Sequence, residues 1–99
     1  MTEAYTALVP AGSPSSSYHY CVSVRHKRNG NVVLFEPAEL TTYTVPAAAL
    51  RPPRAYQAEL RPARLARAIR RQLKAFKRHG RRCDRATAKT VLAYLEGQA

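Results

Sequence analysis

The residues with the most obvious chemical capacity are His19, Cys21, His79 and Cys83, with the carboxylates Glu36 and Glu39 beside them in the chain. Zinc accepts Cys and His in a tetrahedral set, normally from C-x2-C or H-x3–5-H pairs. Here the pairs are H-x-C and H-x3-C, and the first lies awkwardly along a strand. A Cys21–Cys83 disulfide is the other pairing on offer, but two cysteines make no disulfide framework. A lone buried cysteine commonly serves as a small hydrophobe. Cys83 stands among Arg81, Arg82 and Arg85, whose charge favours a thiolate, yet neither cysteine sits in a known nucleophile motif. Glu36 and Glu39 lack the further acidic ligand and nearby lysine that a metal-dependent nuclease needs, and no glycine-rich phosphate loop occurs. The sequence predicts a protein with no enzymatic role, no cofactor and no metal.

The stronger pattern is electrostatic. The 99 residues hold 17 Lys and Arg against 6 Asp and Glu, a formal charge of +11. Most of these cations are arginines, whose planar five-donor fork suits phosphate and carboxylate. They concentrate in residues 62–82, PARLARAIRRQLKAFKRHGRR, which contains no acidic residue. Arg64, Arg67, Arg70, Arg71, Lys74, Lys77, Arg78, Arg81 and Arg82 are the candidate binding residues. Like-charged neighbours at i,i+3 and i,i+4 cost about 0.2–0.5 kcal/mol each when exposed. Arg61, Arg64 and Arg67 also crowd the positive end of a helix dipole. GC-rich coding explains an excess of Arg over Lys, but not the removal of every carboxylate from one helix. A face this unfavourable for the free chain points to an anionic partner.

A nucleic-acid backbone is the commonest such partner. Positions 64, 67, 71, 74 and 78 span about 20 Å at 1.5 Å per residue, enough to face several phosphates. Lys27 and Arg28, at a hairpin tip, supply a second contact. The basic face carries a single Gln (Gln72) and no Asn, which predicts modest base specificity for DNA or RNA. The same composition fits a small inhibitor or assembly factor that meets an acidic protein or ribonucleoprotein surface, of the anti-defence type carried by phages and mobile elements. Lipid is a poorer target. The apolar stripe of the basic helix has no Trp and a single Phe, and a sheet beside it needs that stripe. No stretch approaches 18 apolar residues, and the acidic start MTEAYTALVP has no signal-peptide character. The expected setting is the cytoplasm of a bacterial or phage-infected cell.

Several elements must position these cations. Residues 1–9 alternate weakly as a short strand, and 10–17, PAGSPSSS, read as loop. Residues 18–25, YHYCVSVR, alternate strictly, with Tyr18, Tyr20, Val22 and Val24 on one side and His19, Cys21, Ser23 and Arg25 on the other. The tyrosine side is the apolar one, so Tyr18 and Tyr20 read as core rather than as base-stacking groups. Asn29-Gly30 predicts a two-residue type I′ turn. That turn sets Arg28 against Asn31, Val24 against Phe35 and His26 against Val33. LTTYTV, 40–45, is a third strand with a threonine-rich edge open to pairing with a second copy. Residues 46–61 are a proline-rich crossover, in which 53–60 read either as a short helix or as an early start of the main helix with a bend at Pro62.

Leu65, Ala66, Ile69, Leu73 and Phe76 then mark an amphipathic helix from Pro62, a suitable first position, to Gly80, a suitable stop. Asp84 caps a second helix over roughly 85–96, with Ala88, Val91, Leu92 and Leu95 on one face and Gly97 ending it. The fold predicted for residues 1–99 is a single small basic α+β domain. An antiparallel sheet of three or four strands occupies 18–45, and two C-terminal helices in 62–96 pack on one of its faces.

Overall fold

The computed structural model describes residues 4–8, 18–52 and 61–98. It is an α+β fold. Five strands form one antiparallel sheet: β1 (Ala4–Leu8), β2 (Tyr18–His26), β3 (Asn31–Glu36), β4 (Thr41–Pro46) and β5 (Leu50–Arg51), in the order β4-β3-β2-β1-β5. A 3-10 turn, Ala47–Ala49, links β4 to β5, and two helices follow, α1 (Pro62–Arg78) and α2 (Arg85–Gln98). The expected loop at 10–17 and the expected short helix at 53–60 lie outside the described residues.

The strand order bends the sheet. β4 and β5 stand at opposite ends of that order, yet only Ala47–Ala49 separates them. Three residues of 3-10 helix rise about 6 Å, whereas the outer strands of a flat five-stranded sheet lie about 19 Å apart. The sheet therefore curls until its two edges approach, like a small open barrel. Its concave interior holds Cys21, Val32, Leu34 and Val45, all at most 3 % exposed, with Tyr43, Ala49 and Leu50 against them. Its convex face carries Val22 and Phe35, which pack with Leu40 against both helices.

The hairpin register differs from the expected one. Gly30 N–H donates to Lys27 O, and Lys27 N–H donates to Asn31 O at 2.8 Å. Gly30 sits at φ +85°, so residues 28–30 form a three-residue loop whose last residue is left-handed. That arrangement is the common alternative to a two-residue turn. His26 then faces Val32 and Arg25 faces Val33, while Val22, not Val24, faces Phe35. Val24 is the extra residue of a bulge between Ser23 and Arg25. The bulge restores the expected apolar face, because Tyr20, Val22 and Val24 all join the helix-side cluster.

α1 begins with Pro62 at its first position and ends in a Schellman motif. Arg81 N–H donates to Phe76 O, Gly80 N–H donates to Lys77 O, and Gly80 takes φ +64°. This closure satisfies carbonyls that the helix end leaves free. Asp84 caps α2 through Thr87 N–H at 3.1 Å and the Thr87 hydroxyl at 2.8 Å. α2 runs on through Gly97 to Gln98, so Gly97 does not end it. The apolar stripes of both helices are buried as expected: Leu65, Ala66, Ile69 and Phe76 from α1, and Ala88, Val91, Leu92 and Leu95 from α2. Each large side chain among them contributes about 1.5–3 kcal/mol through burial.

Candidate nucleic-acid interface

Burial of the Leu65–Ile69–Phe76 stripe fixes how α1 is rotated. With about 100° per residue, Arg64, Arg67, Arg71, Lys74 and Arg78 fall within about 40° of the line directly opposite Ile69. All five are exposed. They recur at steps of three and four residues, so they form one continuous crest along the most outward line of the helix. Ala63 and Ala68, both exposed, stand lower on either side of the crest.

Two of the predicted cations are already partnered. Arg70 points toward α2, where its Nε and Nη2 meet the Glu96 carboxylate at 2.7–2.9 Å. Arg81 lies beyond the Schellman turn, bonds Glu39 at 2.9 Å and stacks over the Phe76 ring at 4.2 Å. Lys77 is exposed on the α2 side of the helix and Arg82 is exposed beyond its end. Neither they nor the five crest residues meet a carboxylate among the described residues.

The described carboxylates are all engaged elsewhere. Glu36 is 3 % exposed, with His19 Nδ1 at 2.5 Å from its Oε2. Glu39 and Glu96 hold Arg81 and Arg70. Asp84 accepts hydrogen bonds from Thr42 on β4 and from Thr87, and those bonds hold its carboxyl below the ordinary Asp range. Asp84 N–H also donates to Leu40 O at 2.8 Å, so the link between the helices is tied both to the β3–β4 turn and to β4. Gln72, the one amide on the basic helix, donates to Ala38 O in the same turn at 2.6 Å.

Lys27 and Arg28 are exposed at the hairpin tip, at the start of β3. The turn that docks Gln72 and Arg81 follows the other end of β3. Six strand residues separate the two ends by about 20 Å. The tip is therefore a separate patch from the C-terminal end of the crest. Arg85 and Lys89, exposed on α2 at i,i+4, add cations that the sequence reading did not include. Their spacing was the available signal.

Cys21 and Cys83 are both free. Cys21 is fully buried in the sheet interior, and its thiol is pushed up to about 12 by burial and by the nearby Glu36 charge. A thiol so placed is no nucleophile near neutral pH. Burial likewise pushes the Tyr20 phenol up, with the neighbouring Cys21 adding to the effect. His19 and Glu36 stand at a shallow pocket of about 430 Å³ that also meets Tyr20, Ala68 and Gln72. Among the described residues no cluster of three His, Cys, Asp or Glu can hold a metal, and no helix is long and apolar enough to cross a membrane.

The chain matches no family model, no curated protein and no solved structure.

Proposed function

We propose that this chain is a non-catalytic nucleic-acid-binding protein that lays the crest of α1 on a phosphate backbone. The observation that carries the reading is the crest itself. Five exposed cations stand opposite the buried stripe, while every described carboxylate is engaged elsewhere. Such a crest is held out by packing on its far side and releases counterions when it meets phosphates. Arg64, Arg67, Arg71, Lys74 and Arg78 are the principal contacts, with Lys77 and Arg82 at the margin. Arg70 and Arg81 join only by leaving or sharing Glu96 and Glu39. Lys27 and Arg28 serve a separate, auxiliary contact. The setting that supplies such a partner is the cytoplasm.

The second reading keeps the crest and changes the anion to an acidic protein or ribonucleoprotein surface, as in a small inhibitor or assembly factor. The discriminating experiment is fluorescence anisotropy of labelled DNA and RNA oligonucleotides, single- and double-stranded, titrated with the full chain at 50 mM salt. Saturable binding to at least one form is expected. Absence of binding to every form overturns the nucleic-acid reading. A stoichiometric complex with a purified protein partner that survives nuclease treatment would then carry the second.

A further inference from the structure

We propose that the crest of α1 enters the major groove of double-stranded DNA, its cations divided between the two backbones that wall the groove. This rests on the nucleic-acid reading above and narrows it to one form of nucleic acid.

The crest is not a single file. At about 100° per residue, Arg64 and Arg71 lean to one side of the outward line, and Arg67 and Lys74 lean to the other. The two rows diverge by about 60°, and within each row the step is seven residues, about 10.5 Å along the axis. Arg78 lies on the centre line at the C-terminal end. Two diverging rows suit a target with two walls of negative charge. A duplex groove has two backbones, whereas a single strand has one.

Three further features agree. The first is width: a helix about 10–12 Å across fits the B-form major groove, about 12 Å wide, whereas the A-form RNA groove is too deep and narrow. The second is the profile of α1: the flank beside Arg64 and Arg71 is low at Ala68 and Ala75 and leaves room for one groove wall, while the flank beside Arg67 and Lys74 carries the long side chains of Arg70 and Lys77 toward the other. The third is the placement of aromatic rings. Single-strand binders stack bases on exposed aromatics. Here Phe76 is buried, and Tyr20 and Tyr43 pack on the two hydrophobic clusters. Tyr94, the large exposed ring among the described residues, is on α2.

The test is an anisotropy titration of a 20-base-pair DNA duplex, one of its strands alone, and an RNA duplex of the same sequence, at about 150 mM salt with the full chain. The duplex DNA is expected to bind at least tenfold more tightly than either competitor. Equal or tighter binding of the single strand or of the RNA duplex overturns the groove assignment and leaves the broader reading standing. Failure to bind any of the three, even at 50 mM salt, overturns the groove assignment, and the broader reading falls with it when single-stranded RNA also fails to bind. Two double variants test the rows, Arg64→Gln/Arg71→Gln and Arg67→Gln/Lys74→Gln. All four positions are exposed, so circular dichroism should show both variants folded. Each pair should flatten the slope of log K against log salt by about 1.8, at about 0.9 per phosphate. A loss confined to one pair overturns the two-walled arrangement.

Discussion

Arg70 of α1 and Glu96 of α2 form a bidentate pair across the two helices, with Nε and Nη2 at 2.7–2.9 Å from the carboxylate. Both side chains are about half exposed, so the pair adds little stability, about 0.2–1 kcal/mol. Its larger effect is electrostatic, since it removes one cation from a dense field. Glu96→Gln should lower the melting temperature slightly and tighten DNA binding a few-fold as Arg70 becomes available. The salt slope should steepen by up to about 0.9. Affinity equal to or weaker than the parent's would show that Arg70 lies outside the interface.

Asp84 joins the helix link to β4. Its folded carboxyl is held low by the Thr42 and Thr87 hydrogen bonds. A depressed carboxyl contributes stability that is complete above the unfolded value, about 3.9, and is lost as pH falls through the folded value. Asp84→Ala should therefore cost about 0.5–2 kcal/mol at neutral pH, as for other helix caps, and the gap should close on acidification below about pH 4. Urea denaturation of both chains from pH 7 to pH 2 measures it. A gap that stays constant across that range contradicts the assignment.

Leu40 combines full burial with φ +53°. The side chain is needed by the core, while the backbone would prefer glycine. Leu40→Ala should cost about 2–5 kcal/mol by opening a cavity. Leu40→Gly removes one methyl more yet relieves a left-handed residue, a relief of about 1 kcal/mol. The glycine variant should thus equal or exceed the alanine variant in stability, the reverse of the usual order. Chemical denaturation of the two variants decides it.

Cys21 and Cys83 should separate cleanly in a thiol-labelling experiment. Cys21 is fully buried with its thiol raised to about 12, whereas Cys83 is partly exposed. Iodoacetamide at pH 7.5 should modify Cys83 in the native protein and reach Cys21 only in denaturant. Labelling of Cys21 at native conditions would mean that the sheet interior opens readily.

Much of this architecture is legible in residue patterns. The 3.6-residue period of Leu65, Ile69 and Phe76, the Gly80 stop and the Asp84 cap each act locally, and each appears where expected. The hairpin register was less legible, because Asn29-Gly30 suits both a two-residue turn and a three-residue loop. Choosing between them depends on the Val24 bulge, which answers to packing on both faces of β2. β5 was invisible because two residues carry no period. Its partner β1 is reached only because the sheet curls. That curl also buries Cys21 and Ser23, which alternation assigned to the less apolar side.

The candidate interface divides the same way. The crest follows from spacing within one helix. The neutralising partners Glu39 and Glu96 come from 42 and 26 residues away in sequence, and no local pattern announces them.

The salt dependence of duplex DNA binding reports how many crest cations meet phosphates. If the five crest cations each meet a phosphate, log K against log salt should fall with a slope of about −4.5 or steeper. A slope shallower than about −2, or no binding at 50 mM salt, would contradict the assignment of the crest to the backbones of duplex DNA.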